Sequence, residues 1–241
     1  MRKVTLVLPL YLPDPLYYCL RLLKRSALLR NPSKNKHQPL NLTGERDIEW
    51  SWFAAHMPSG PGEALDFGPG GSHLALMAAQ SGFNVTAVDL EPVHWLYEHP
   101  RLRFVQGDIL KLTLPKDHYD LVINCSTVEH VGLSGRYGVT QSRPNGDLEA
   151  MSQLYELMKP DSILLLNVPV GRDAVFMPLH RVYGLERLPK LLDGFIIDKE
   201  EYWVKNNRNN WIYTDKQDAL AREPKERLYG LGCFVLRRPR V

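Results

Sequence analysis

The chain has little of what would place it outside the ordinary soluble globular proteins. No stretch approaches the roughly 20 consecutive apolar residues of a membrane span. The closest thing to a leader is "VTLVLPLYL" behind Arg2 and Lys3, which is short, is interrupted and followed by Pro9, Pro13 and Pro15, and lacks an A-x-A-like cleavage site. Cysteine is scarce: three in 241 residues, Cys19, Cys125 and Cys233, with no C-x-x-C spacing for a metal. They read as reduced thiols of a cytoplasmic protein. An excess of one charge is also missing; the net charge of +3 is too small to argue for a nucleic-acid partner. There is no internal repeat and no composition break that would mark a second folded domain.

What is present is an average globular composition, 44% hydrophobic and 24% charged, enough for one α/β core. Residues 15–30, "PLYYCLRLLKRSALLR", predict a basic amphipathic helix. It is expected to dock on the domain, with contact to an anionic membrane surface as the sharper alternative. The breaker-rich "NPSKNKHQPLNLTGERD" then reads as a linker, so residues 1–45 are assigned to an arm and 46–241 to the domain. Beyond the linker, strand-like and helix-like segments alternate. "EALDF", "NVTAVDL", "LRFVQGD", "YDLVINCS" and "SILLLNVPV" read as strands. "SHLALMAAQSG", "EPVHWLYEH" and "GDLEAMSQLYELMK" read as helices between them. Short apolar strands separated by helices predict βαβ units and a doubly wound, mostly parallel sheet covered on both faces. "FIIDKEEYWV" and "GLGCFVLRR", parted by a polar stretch without an evident helix, suit an antiparallel pair at one edge.

The segment "EALDFGPGGSHLA" places a glycine-rich turn between the first strand and its helix. A phosphate-binding P-loop needs a lysine after the glycines, and none follows. A dinucleotide fingerprint needs a third glycine or alanine where this chain has His73, which weakens NAD. The acid before the turn, Asp66, opens a third possibility: a ligand that carries positive charge and no phosphate.

"LDFGPGGS" resembles the first motif of the class I S-adenosylmethionine-dependent methyltransferases, an acid-x-G-x-G-x-G turn. Asp66 takes the acidic position, Gly68 and Gly70 the first two glycines, and Ser72 stands where the third would be. Glycines let backbone approach the ligand closely, and a nearby acid suits an ammonium and a sulfonium. Asp89 ends the next strand 21 positions after Gly68, near the spacing of about 20 for a ribose-binding acid. The alternative for Asp89 and for Asp108 is that each caps a following helix. The resemblance implies a seven-stranded Rossmann-like sheet with one antiparallel edge strand. It implies S-adenosyl-L-methionine as cofactor, held by Asp66, Gly68, Gly70, Ser72, Asp89, Leu90, Asp108, Ile109 and Ser126.

Candidates for chemistry follow strands four and five. "STVEHVGLSGRYG" offers Glu129, His130, Arg136 and Tyr137, and "VPVGRDAVFMPLHRVYG" offers His180, Arg181 and Tyr183. His130, with an ordinary pKa near 6.5, is the expected base, backed by Glu129. His180 and Arg181 are expected to orient the acceptor. The "EH" pair resembles a metal-holding E-x-x-E-H pattern of some O-methyltransferases, but its first acid is Ser126 here, so no metal is assigned. The same segments resemble an uncharacterised branch of methyltransferase-like proteins found among polysaccharide-biosynthesis genes, which implies a sugar or glycan hydroxyl as acceptor. Amino-N transfer to nucleic-acid bases is disfavoured, because "NCST" stands where N/D-P-P-[YF] belongs. The alternatives are a noncatalytic cofactor-binding or interaction module of the same fold, and transfer to RNA or protein. Retention of both Asp89 and Asp108 speaks for the enzyme.

Overall fold

The structure, a computed structural model, describes residues 45–206 and 210–240. The expected arm helix, its membrane contact and Cys19 lie outside the described residues. Helix α1 (Arg46–His56) leads into β1 (Gly62–Phe67), α2 (Leu74–Gln80), β2 (Phe83–Asp89), β3 (Leu102–Gln106) and β4 (Tyr119–Cys125). A single 3-10 turn (Val128–His130), α3 (Gly146–Leu157) and the long β5 (Met158–Val170) follow. A hairpin of β6 (Ala174–Phe176) and β7 (His180–Val182), then α4 (Arg187–Leu191), separate β5 from β8 (Ile196–Lys205). Strand β9 (Trp211–Thr214), α5 (Lys216–Ala221) and β10 (Gly230–Arg237) complete the chain.

The main sheet has eight strands in the order β3-β2-β1-β4-β5-β10-β8-β9. The pairs among β1 to β5 are parallel, and β10 lies antiparallel to both β5 and β8. The sheet is thus mostly parallel, as expected, with one strand more than expected. The antiparallel strand β10 sits inside the sheet rather than at its edge, and β9 adds an antiparallel edge.

Alternation along each strand splits the core into two layers. Leu65, Phe67, Val122, Leu164 and Leu166 face the layer under α3, α4 and α5. Ala64, Leu121, Ile123 and Leu165 face the layer under α1 and α2. Helix α3 offers Ala150, Met151, Leu154 and Leu157, three to four residues apart, so one stripe is buried. Burial of a leucine such as Leu154 contributes about 1.5–3 kcal/mol.

Two expectations are corrected. "EPVHWLYEH" forms no helix. Its Trp95 indole donates to Gly70 O at 3.3 Å and its Tyr97 hydroxyl to Ser72 O at 2.8 Å, while the two rings stack at 5.3 Å. These contacts hold the segment across the glycine turn, and Pro92 and Pro100 bracket it. The polar stretch before β10 is also structured. Strand β9 pairs with β8, and Asp215 caps α5 by accepting from the Asp218 amide at 2.8 Å.

Candidate active site

The parallel strands end on one side of the sheet, where open α/β sheets bind ligands. Gly68 takes φ +74° and Gly70 φ +47°, both in the left-handed region. A Cβ on Gly68 would lie 2.1 Å from Thr127 Cγ2, so glycine is required there for the turn to meet the loop after β4. A Cβ on Gly70 would meet nothing within 4 Å, so that face of the turn is open. Ser72 is buried and its hydroxyl accepts from the Leu74 amide at 3.4 Å, supporting the start of α2.

Acids surround this turn. Asp66 is 1% exposed, one of its oxygens has no partner among the described residues, and burial pushes its carboxyl up to about 8, with nearby Asp89 adding to the shift. Asp89 accepts from the Gly70 amide at 3.2 Å and the Glu91 amide at 3.1 Å; burial raises it as well. No helix follows Asp89, so capping does not explain it. Leu90 is exposed, and its carbonyl accepts from Gln106. Asp108 accepts from the Leu110 amide at 3.0 Å and pairs with Lys111 at 3.3 Å, shaping a tight turn, while Ile109 is buried.

Ser126, directly after β4, is a non-glycine residue at φ +50°. Its amide donates to Asn167 Oδ1 at 2.8 Å, and its hydroxyl donates to Glu49. Glu49 is fully buried on α1, paired with Arg46 and bonded to the Asn167 amide group. Sequence reasoning missed Glu49 and Asn167. A lone acid within the apolar run "IEWSWF" was the only signal for the first, and an asparagine inside the apolar "LLLNVPV" the only signal for the second.

The acceptor-side candidates lie together. His130 Nδ1 is 2.5 Å from Leu179 O, and Nε2 is 3.7 Å from Glu129 Oε1. Burial lowers His130 to about 3 and raises Glu129 to about 8. His130 is therefore not the neutral-range imidazole expected from its type. His180 is buried, its Nε2 has no partner among the described residues, and its ring lies 6.5 Å from that of His130 and 4.9 Å from that of Tyr229. Arg181 points elsewhere. Its guanidinium donates to the carbonyls of Glu129, Val131, Arg143 and Pro144 and pairs with buried Asp147 at 3.5 Å. That spends its donors on holding loops, whereas Arg136, which lies over Tyr137 at 4.4 Å, forms no ion pair among the described residues.

Comparison with known proteins agrees with this geometry. Residues 64–142 match the family model described as a methyltransferase domain, and residues 110–221 match a family of Caenorhabditis proteins of unknown function. A protein of Mycobacterium tuberculosis named a probable S-adenosylmethionine-dependent methyltransferase is 26% identical over 192 residues, 68% of this chain and 65% of its own length. A Mycolicibacterium smegmatis protein of like name is 25% identical, covering 70% of each chain. The chain thus spans about two thirds of the length of these relatives. Among solved structures, a Burkholderia thailandensis 1,6-didemethyltoxoflavin-N1-methyltransferase with bound S-adenosylhomocysteine superposes with TM-score 0.57 at 18% identity, covering 98% of this chain and 94% of that one. The [4+2]-cyclase SpnF gives TM-score 0.58 at 16% identity, covering 93% and 94%, so the shared fold alone does not specify the reaction. With the acid-glycine turn, the strand-end aspartates and the sheet order all in place, the chain has the class I methyltransferase fold and is similar in sequence to S-adenosylmethionine-dependent methyltransferases.

Proposed function

We propose that the protein transfers a methyl group from S-adenosylmethionine to a hydroxyl of a small polar acceptor, with a sugar or glycan as the acceptor class. The observation that carries the donor assignment is the open glycine turn beside an unpartnered buried acid, Gly70 next to Asp66. When bound, S-adenosylmethionine supplies an activated methyl carbon for in-line displacement. In this reading the backbone at Gly68 and Gly70, with Asp66, Ser72, Asp89, Leu90, Asp108, Ile109 and Ser126, holds the donor. Asp66, kept neutral by burial in the free protein, regains its charge beside a cationic ligand.

The chain's own part in the chemistry is to position the nucleophile, exclude water and remove its proton. His180 offers an unpaired ring nitrogen to orient the acceptor, and His130 stands next to it to receive a proton. The hydroxyl-rich acceptor class is supported by the polar and aromatic wall of Arg136, Tyr137, His180 and Tyr229.

The test is a thermal melt followed by transfer of labelled methyl groups. S-adenosylmethionine and S-adenosylhomocysteine are expected to raise Tm by mass action, while NAD and ATP leave it unchanged. Label is then expected in a sugar or lipid-linked glycan rather than in RNA. A shift with NAD but not with the methyl donor would overturn the donor assignment. Label found only in RNA or protein would overturn the acceptor class.

A further inference from the structure

We propose that Glu129 is the terminal proton acceptor of the reaction, taking by way of His130 Nε2 the proton that the acceptor hydroxyl loses. This rests on the methyl-transfer reading above. The 3-10 turn Val128–His130 sets the two side chains side by side. A carbonyl oxygen can only accept, so Leu179 O at 2.5 Å keeps a hydrogen on His130 Nδ1 and leaves Nε2 as a lone pair. That nitrogen lies 3.7 Å from Glu129 Oε1. The imidazole side chain keeps 22% exposure, whereas the glutamate behind it keeps 2%. The other glutamate oxygen, Oε2, is buried without a partner among the described residues. The imidazole is the outward face of the pair and the carboxyl its interior.

The two groups differ in basicity in the direction a relay needs. Burial raises Glu129 to about 8 and lowers His130 to about 3. A proton arriving at Nε2 is therefore favoured on the glutamate, and its transfer needs Oε1 to close from 3.7 Å to hydrogen-bond distance. The surroundings favour this ordering. Glu49 on α1 and Glu45 just before it raise Glu129, and Arg46 opposes them. Arg136 and His180 act with Arg46 to lower His130. Cys125 at the end of β4, Tyr137 in the following loop, Arg181 and Tyr183 at β7 and Tyr229 before β10 also feel the Glu129 charge. In the step itself the acceptor O–H bond would break as the oxygen bonds to the methyl carbon and the carbon–sulfur bond of the donor breaks, releasing neutral S-adenosylhomocysteine, and the proton would form an N–H bond at Nε2. That N–H then breaks, an O–H forms on the Glu129 carboxylate, and solvent removes the proton before the next turnover.

Two measurements on the full chain test this: the pH profile of kcat at saturating donor and acceptor, and NMR titration of carboxyl carbons and imidazole nitrogens. Glu129 is expected to titrate near 8 and to move the His130 Nε2 resonance as it does so. The turnover of the wild type is expected to rise about tenfold per pH unit below that point. Glu129→Gln, which mimics the neutral carboxyl and preserves the fold, is expected to lower kcat by about a hundredfold or more. It should also flatten the pH profile and leave the donor Kd unchanged. Titration of Glu129 near 4.5, or a wild-type pH profile in the Gln variant, would overturn the proposal. Coupled titration with no transfer to any acceptor would sink the activity and the base role together. Transfer with an uncoupled Glu129 would sink the base role alone.

Discussion

Single residues at the proposed donor end are assigned two jobs at once. Asp89 shows this best, because its carboxylate already holds the Gly70 and Glu91 amides in the free protein. A ribose hydroxyl donating to the same carboxylate adds a charge-assisted bond worth about 1.5–3 kcal/mol. Asp89→Ala is therefore expected to raise the Kd for S-adenosylmethionine at least about tenfold, read by isothermal titration calorimetry, with the fold intact. An unchanged Kd would reduce Asp89 to a residue that shapes the turn. Four acids in this neighbourhood were named from the sequence, but their protonation was not. Asp66 and Glu129 look like ordinary carboxylates in a string of letters, and only the buried surroundings make them neutral.

Among the elements, the β6–β7 hairpin matters most to the proposed acceptor wall, since it carries His180 and is followed closely by Tyr183. It is fastened from within. Arg181 on β7 reaches the loop after β4 and the entry to α3, and Asp147 in the first turn of α3 also binds Arg187 at 2.6 Å and the Tyr183 hydroxyl at 3.1 Å. Removing one partner of a buried ion pair leaves the other charge uncompensated, at a cost of about 3–5 kcal/mol. Asp147→Ala is expected to lower stability by that amount in urea unfolding. Arg222→Ala, which breaks a half-exposed i,i+4 pair with Asp218, is expected to change it by less than about 0.5 kcal/mol. Comparable losses in the two variants would show that the clamp carries no special weight. The hairpin was not legible in the sequence: its strands are three residues each, too short for a period of two to stand out.

At the scale of the whole molecule, buried titratable groups set a pH dependence of stability. The carboxyls of Asp66 and Glu129 are raised in the folded state to about 8, so the unfolded chain holds fewer protons between about 4 and 8. Their contribution is complete below the unfolded values and is lost as pH rises to about 8. His130, lowered to about 3, acts oppositely: its contribution is complete above its unfolded value and is lost in acid. Between pH 6.5 and 8 only the two carboxyls act among these three. Unfolding free energy is expected to fall there by up to about 1.4 kcal/mol per pH unit for each carboxyl. Asp66→Asn should remove its share of the slope in urea titrations. Stability that holds level or rises across that interval would contradict the assignment of both groups.

The sequence by itself determined the parallel half of the sheet, the glycine turn and the acids at the strand ends. Each depends on local pattern: apolar strands of the right length, glycines where φ must be positive, and carboxylates at a fixed distance from a turn. Tertiary structure decided the rest. It held "EPVHWLYEH" out of a helix, because the Trp95 and Tyr97 side chains bond to the glycine turn instead. It moved the antiparallel strand from the edge into the sheet, since β10 has apolar residues to bury on both faces. It turned Arg181 from an acceptor ligand into a loop clamp. And it gave His130 and Glu129 basicities opposite to those of the free side chains, because desolvation depends on neighbours that lie dozens of residues away in the chain.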